Sequence, residues 1–237
     1  MVTATAADFD WLAYAGVLFD LDGVITPTAE IHEHAWGELF AGFDYTGADY
    51  LRYIDGKPRY DGVRSFLSSR NVELPDGDPT DAPGDDTVCA MGNRKNALFN
   101  TILERDGIAP YPSSLATIDM LDAADIASAI VSSSKNARNV LDAAGLGKRF
   151  DVVVDGVVAA FEHIAGKPAP DMFLDAARKI GVDPAGAVVV EDAVSGVAAG
   201  AAGGFAVVIG VDRGAGAETL LDHGATFVVA DLAELLA

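Results

Sequence analysis

Short runs of apolar residues alternate along this chain with segments whose apolar residues recur at helical spacing. The apolar runs predict strands at 16–19, 127–131, 152–154, 187–190, 206–209 and 227–229. Helices are predicted from residue 30 onward and over about 136–144, 171–180, 194–202 and 217–223. Such an alternation is typical of the α/β class with a parallel sheet, and we therefore predict that fold class.

The stretch from about residue 32 to 110 breaks this alternation. It contains helical patterns at 62–70 and 93–105, and between them lies a polar loop, 75–84, that is rich in turn-forming residues. The simplest interpretation is a helical domain inserted after the first strand, with hinges near 28–33 and 108–112. We therefore predict an α/β core of residues 1–31 and 111–237 and a helical domain of residues 32–110.

The composition limits the partners of this protein. Its 237 residues include 36 acidic and 16 basic side chains, for a formal net charge of -20. Nucleic acids and anionic membranes are bound through clustered Lys and Arg, so neither is an expected partner, whereas a small phosphorylated ligand needs only a few cations. A single cysteine, the lack of an apolar run of membrane-spanning length and the lack of a secretion signal predict a soluble cytoplasmic protein. We expect it to be a monomer.

Two carboxylates follow the first predicted strand, at the edge where parallel sheets bind ligands. Asp20 comes directly after the apolar run, and Asp22 can approach the same space because Gly23 permits a tight turn. Such a pair could coordinate a hard cation such as Mg²⁺, and one of its members could attack phosphorus. The purely structural alternative is an Asx turn or a helix N-cap.

Three further signals lie later in the chain. Ser132 follows the second strand of the predicted sheet, where a hydroxyl at a helix start either binds an anion or caps the helix. Lys167 lies in a segment stiffened by prolines and either neutralises a phosphate or is an ordinary exposed lysine. Glu191 and Asp192 follow a very apolar strand, and they repel each other there unless a cation joins them; the alternative is a surface turn.

In this order the motifs resemble those of the haloacid dehalogenase superfamily of phosphatases and phosphomutases. Its four motifs are matched by residues 20–23, by Ser132, by Lys167 and by residues 191–192. That superfamily places a helical cap where this chain has its insertion. The β-phosphoglucomutase-like branch is the closer match, through segments 19–26, 28–36, 134–136 and 167–171. The resemblance implies a Rossmann-like parallel-sheet core domain with an inserted helical cap domain.

The resemblance also implies a role for each matching residue. Asp20 would be the nucleophile and Asp22 the general acid and base, while Ser132 and Lys167 would hold the transferring phosphoryl group. Mg²⁺ would be the cofactor, bound by Asp20, Asp22, Glu191 and Asp192. The implied substrate-binding residues are His32, Arg59 and Lys95 in the cap, and Ser133, Lys135 and Asn136 in the second motif.

The activity implied by this resemblance is phosphoryl transfer to or from a small phosphorylated sugar through an aspartyl-phosphate. The β-phosphoglucomutase-like branch implies conversion of β-glucose 1-phosphate to glucose 6-phosphate, and the main alternative is hydrolysis of a sugar phosphate on the same scaffold. A purely regulatory module would be expected to lack Asp20 or Asp22. A dehalogenase fits less well, because the carboxylates at Glu191 imply a cation.

Three features depart from the pattern of this branch. Pro27 stands where close relatives usually carry an acidic residue, and Asp55 stands where a lysine often precedes the cap glycine. The segment 155–166 is also longer than expected. None of these departures falls on the four catalytic motifs.

Overall fold

The computed structural model describes residues 5–54 and 59–236 of the chain. Six strands form one parallel sheet in the order β3-β2-β1-β4-β5-β6. The strands are β1 Gly16–Phe19, β2 Ala127–Val131, β3 Val152–Val154, β4 Ala187–Glu191, β5 Val207–Val211 and β6 Phe227–Val229. The predicted α/β class with a parallel sheet is confirmed.

The α-helices of the described residues follow in chain order. They are α1 Thr28–Leu39, α2 Gly47–Asp49, α3 Arg59–Ser69, α4 Val88–Asp106, α5 Pro112–Ala123, α6 Ala137–Ala143, α7 Gly156–Glu162, α8 Asp171–Ile180, α9 Val194–Ala202 and α10 Ala217–Asp222. Shorter helical turns occur at Ala6–Asp8, Trp11–Ala13, Ala41–Phe43, Tyr50–Ile54, Pro184–Gly186 and Leu232–Leu235. In the described part of the chain, none of these helices combines the length and the apolar character of a transmembrane span.

The chain divides into two compact units. The first consists of the residues up to Pro27 and those from Ile108 onward, and it contains the whole sheet. Its core packs strand residues against apolar helix faces, and the face of α8 is formed by residues at helical spacing, including Phe173 and Ala177. The second unit, Thr28–Gly107, is helical in its described residues and begins where α1 begins.

Aromatic side chains form the centre of the second unit. Phe40 stacks on Trp36, with ring centroids 5.5 Å apart, and lies 4.0 Å from the ring centroid of Phe66. All three side chains are buried. Large aromatic residues bury much apolar area each, so a unit of this size can hold an apolar core of its own.

Helices α5 and α7 were not predicted from the sequence. Pro112 at the first position of α5 and the apolar residues at Leu115, Ile118 and Leu121 were signals that could have located that helix. By contrast, α7 lies in the unexpectedly long segment 155–166 and has no fully buried residue. Its half-buried Val158 and Ala159 pack against the core, but two adjacent residues do not make a recognisable helical stripe. Helix α8 follows Pro170, which is its N-cap residue.

The sheet order places the candidate chemistry at one edge. β1 lies between β2 and β4, and its register pairs Phe19 with Ile130 on one side and with Val190 on the other. The residues that come next in each strand therefore leave the sheet side by side. In parallel sheets of this order, ligands bind beyond the carboxyl ends of the strands, where the connections diverge.

Candidate active site

Lys167 lies between two carboxylates that leave adjacent strands. Its Nζ atom donates hydrogen bonds to Asp20 Oδ1 at 2.5 Å and to Glu191 Oε1 at 2.6 Å. A third hydrogen bond goes to the carbonyl oxygen of Val131 at 2.7 Å. The lysine side chain is only 4% exposed, so the structural alternative of an exposed lysine is wrong. All three donor positions of the ammonium are used at the strand ends.

Burial and charge shift the acid–base properties of this cluster. Burial raises the pKa of Asp20 well above its usual value; Lys167 opposes this, and the neighbouring carboxylates add to it. Burial also raises the pKa of Asp192, with Glu191 and Asp22 contributing. For Lys167, burial lowers the pKa, but the attraction of Asp20 and Glu191 outweighs burial and raises it. Several carboxylates thus compete for one cation.

The sequence around Glu191 and Asp192 makes room for their side chains. Glu191 Oε2 accepts hydrogen bonds from the backbone N–H groups of Asp192 and Ala193, both at 3.0 Å. A Cβ atom on Gly196 would lie 1.7 Å from Glu191 Oε1, so that glycine leaves space for the carboxylate. The lack of a side chain at Gly196 therefore accommodates Glu191.

Asp22 and Ser132 meet although they come from different strands. The hydroxyl of Ser132 donates to Asp22 Oδ2 at 3.3 Å and accepts from the backbone N–H of Ser134 at 3.1 Å. Ser132 is fully buried, whereas Asp22 is partly exposed. The proximity of a hydroxyl, a lysine and two carboxylates at one sheet edge is the arrangement expected from the four motifs.

The donor set at this edge fits a divalent cation. Asp20, Glu191 and Asp192 each offer an oxygen atom, and these atoms lie within 4.8 Å of one another. Hard cations such as Mg²⁺ prefer carboxylate oxygens. A divalent charge would offset the burial and the mutual repulsion that raise the pKa values of Asp20 and Asp192. The space left by Gly196 accommodates one of these carboxylates, Glu191.

The remaining candidates of the second motif are less closely tied to the cluster. Ser133 and Lys135 are exposed, whereas Asn136 is buried at the start of α6. The backbone N–H of Asn136 donates to Ser134 Oγ at 3.1 Å, so Ser134 supports this turn. Substrate binding by Ser133, Lys135 and Asn136 stays a prediction.

Two cationic candidates and a histidine occur together in the helical unit. Lys95 Nζ lies 2.5 Å from His32 Nδ1. The same atom lies 5.2 Å from the ring centroid of Trp36 and 5.0 Å from that of Phe99. Lys95 is buried, and the His32 ring stacks on Phe99 at 4.4 Å between centroids. Burial lowers the pKa of His32, and the charges of Lys95 and Arg59 lower it further.

Arg59 belongs to the same helical unit, at the first position of α3. Its Nη2 atom donates to Asn96 Oδ1 at 2.8 Å, which links α3 to α4. Burial lowers the pKa of Arg59. Residues 55–58, which include the departure at Asp55, lie outside the described residues. The role of Arg59 stays a prediction.

The sequence profile of the haloacid dehalogenase-like hydrolases matches residues 14–204 of this chain. The chain belongs to that family. A β-phosphoglucomutase of Mycobacterium bovis is 51% identical to it over 92% of this chain and 90% of the relative. The fructose-1-phosphate phosphatase YqaB of Escherichia coli is 30% identical over 81% of this chain and 94% of its own length. These relatives confirm the resemblance to the β-phosphoglucomutase-like branch.

Solved structures of this family have the same fold. The crystal structure of β-phosphoglucomutase from Clostridium difficile is similar to this chain with a TM-score of 0.72 and 26% identity. The match covers 94% of this chain and 93% of the other. The protein is therefore an enzyme of the haloacid dehalogenase type, which includes phosphotransferases and phosphatases.

Proposed function

We propose that this enzyme is a magnesium-dependent β-phosphoglucomutase that acts through an aspartyl-phosphate on Asp20. The observation that carries the proposal is the contact of Lys167 with both Asp20 and Glu191 at the carboxyl ends of neighbouring strands. The 51% identity to a β-phosphoglucomutase supports the choice of substrate. Mg²⁺ would be held by Asp20, Glu191 and Asp192, with Asp22 beside them, and would supply positive charge that favours phosphate binding.

In the first step a carboxylate oxygen of Asp20 forms a bond to phosphorus, and the bond between phosphorus and the sugar oxygen breaks. Asp22 donates a proton to the leaving oxygen, so that a neutral hydroxyl departs. Lys167 and Ser132 hold the phosphoryl oxygens, and the buried position of Lys167 makes its charge effective because little water screens it. These groups stand in place before the substrate arrives.

In the second step Asp22 changes from general acid to general base. Asp22 removes the proton from a sugar hydroxyl, whose oxygen then attacks phosphorus and breaks the bond to Asp20. Transfer to glucose 1-phosphate gives the 1,6-bisphosphate, and return of its other phosphate to Asp20 releases glucose 6-phosphate. The enzyme must therefore bind a substrate that carries a second phosphate, away from the reacting one.

We propose that residues of the helical unit bind this second phosphate, as the cap domain does in the family. Arg59 is suited to it because a planar guanidinium binds phosphate in bidentate fashion. Lys95 and His32 form a second polar group in the same unit. Lys95 lies against aromatic rings, so we assign it to holding His32 in place as well as to a sugar-phosphate contact.

A phosphatase is the second candidate, because the fructose-1-phosphate phosphatase YqaB is 30% identical to this chain. The same residues serve both reactions up to the aspartyl-phosphate. The two differ only in the acceptor of the second step, which is water in a phosphatase and a sugar hydroxyl in a mutase.

Phosphorus NMR distinguishes the two candidates directly. The protein is incubated with Mg²⁺, β-glucose 1-phosphate and a trace of β-glucose 1,6-bisphosphate. We expect a glucose 6-phosphate signal to grow without free phosphate, and omission of Mg²⁺ to abolish that growth. Growth of free phosphate alone would establish the phosphatase and overturn the mutase.

A further inference from the structure

The position of Asp22 is not determined by the sheet. Asp20 still belongs to the sheet's hydrogen-bond network, since its N–H donates to the carbonyl oxygen of Val190 at 2.9 Å. Asp22 lies two residues farther along, in a turn that closes when the N–H of Gly23 donates to the carbonyl oxygen of Thr26 at 2.8 Å. Whatever holds this turn therefore holds the backbone of Asp22, while Ser132 contacts its carboxyl group.

Three consecutive carbonyl oxygens of this turn accept hydrogen bonds from residues far away in the sequence. Each donor is different in kind: a guanidinium, a hydroxyl and a backbone N–H. Because a carbonyl group is rigidly attached to the chain, three such bonds fix both the position and the orientation of the turn. The bonds run from Arg213 Nε to Gly23 at 2.9 Å, from Ser114 Oγ to Val24 at 2.6 Å and from the N–H of Tyr111 to Ile25 at 2.9 Å.

Arg213 joins these supports into one unit. Its guanidinium carbon lies 4.0 Å from the ring centroid of Tyr111, and its Nη1 atom donates to the carbonyl oxygen of Ala230 at 3.2 Å. Its Nη2 atom lies 3.6 Å from Asp231 Oδ2. Stacking and several fixed donors on one plane suit arginine and not lysine. The arginine therefore connects the loop after β5 to the turn after β1.

We infer that Arg213 is a positioning residue for Asp22. It acts through the backbone of Gly23, and it keeps the Asp22 carboxyl group where a proton can pass to the leaving oxygen. The inference rests on the proposed function, in which Asp22 is the general acid and base. Asp20 is held by the sheet, so loss of Arg213 impairs proton transfer much more than nucleophilic attack.

This division of labour has a measurable signature. A nitrophenolate ion leaves without a proton, whereas a phenolate ion is more basic and departs more slowly unless an acid protonates it. General acid catalysis contributes about 10²- to 10⁴-fold where it is needed. A misplaced Asp22 should therefore slow hydrolysis of phenyl phosphate more than hydrolysis of 4-nitrophenyl phosphate. General damage to the fold slows both reactions equally.

The test compares kcat/KM for 4-nitrophenyl phosphate and phenyl phosphate, with Mg²⁺ present, in the wild type and in four variants: Arg213→Ala, Arg213→Lys, Asp22→Asn and Arg149→Ala. Arg149 is the matched control, because it is similarly exposed, at 31% against 24%, and contacts Asp119 and Asp122. We expect Arg213→Ala to lower kcat/KM about tenfold or more for phenyl phosphate and less than about threefold for 4-nitrophenyl phosphate. Arg149→Ala should show no such difference.

The variants separate failure of this inference from failure of the proposed function. If Arg213→Ala loses kcat/KM equally on both substrates while Asp22→Asn loses more on phenyl phosphate, the positioning role alone is overturned. Equal losses for Asp22→Asn overturn the acid–base role on which the inference rests. If Arg213→Ala does not fold, Arg213→Lys and Ser114→Ala replace it, and an equal loss on both substrates in these two variants overturns the inference as well.

Discussion

The backbone of Gly23 lies against the side chain of Asp192, although 169 positions separate the two residues (192 − 23). A Cβ atom on Gly23 would be 1.9 Å from Asp192 Oδ2, and the residue has a φ of +85°. The turn after β1 and the turn after β4 therefore fit together only because one of them has no side chain at this point.

Substitution of Gly23 by alanine should displace Asp192. We expect Gly23→Ala to raise the Mg²⁺ concentration required for half-maximal activity about tenfold or more, because displaced ligands weaken metal sites. Gly145→Ala is the matched control, since Gly145 also has a positive φ, of +72°, but no atom lies within 4 Å of its Cβ position. Both variants should lose similar stability from backbone strain. A normal Mg²⁺ dependence in Gly23→Ala would contradict the assignment of Asp192.

The nucleophilic role of Asp20 predicts a variant that is folded and inactive. Asp20→Asn should lower turnover by about a thousandfold or more, because an amide cannot form the acyl phosphate. Its melting temperature should change little, since the lost attraction to Lys167 is offset by lost repulsion from nearby carboxylates. Initial rates and thermal melts check both statements. Asp171→Asn, at an exposed position, is the control, and substantial turnover by Asp20→Asn would exclude covalent catalysis on Asp20.

The buried ammonium of Lys167 predicts a large loss of stability on its removal. Lys167→Met should lower the free energy of unfolding by about 3 kcal/mol, because Asp20 and Glu191 would remain buried without their cation. Urea unfolding without Mg²⁺ measures this loss. Lys179→Met is the comparison: its ammonium also contacts two carboxylates but is more exposed, at 26%. Equal losses in the two variants would mean that burial of Lys167 contributes nothing.

The proposed contact of Arg59 with a second phosphate predicts a substrate-dependent effect. Arg59→Ala should lower isomerisation of β-glucose 1-phosphate about a hundredfold and hydrolysis of 4-nitrophenyl phosphate only slightly, because the aryl ester has no second phosphate to bind. Arg64→Ala is the control, since Arg64 lies on the same helix and contacts Asp61 and Asp76 on an exposed face. Equal losses on both substrates would remove Arg59 from substrate recognition.

The lowered pKa of His32 predicts that stability depends on pH. Its pKa is lowered well below the ordinary value of 6.5, so the unfolded chain takes up a proton at this residue before the folded protein does. Stability contributed by the neutral ring is thus fully present above pH 6.5. It is lost progressively as the pH falls from there towards the lowered pKa.

Urea unfolding of His32→Gln and of the wild type at pH values of about 7.5, 6 and 5 measures this contribution. These conditions run from about one pH unit above the ordinary histidine pKa to about 1.5 units below it. The variant should lose less stability between the first and last of these conditions than the wild type does. His34→Gln, at an exposed position on the same helix, is examined in parallel. Identical pH profiles for His32→Gln and the wild type would show that His32 does not titrate differently on folding.

Much of the core unit could be predicted from local patterns. The runs at residues 16–19 and 187–190 are continuously apolar, which is what a sheet covered on both faces requires. Helix α8 combines an apolar stripe with a terminal Gly181 in the left-handed region, and its predicted bounds are those observed. Helix α7 could not be found in this way, because Val158 and Ala159, which it packs against the core, are adjacent and half-buried and do not form a helical stripe.

The sequence by itself pointed to the groups that meet at this site, since Asp20 and Glu191 follow apolar runs and Lys167 lies in a stiff segment between elements. Spacing along the chain contains no distance across the sheet. Only the tertiary structure decided that Lys167 bridges two carboxylates, because the register of β1 against β4 sets that distance. It likewise decided that Gly23 must leave room for Asp192 and that Arg213 reaches the turn after β1, since contacts between distant segments depend on how the chain packs.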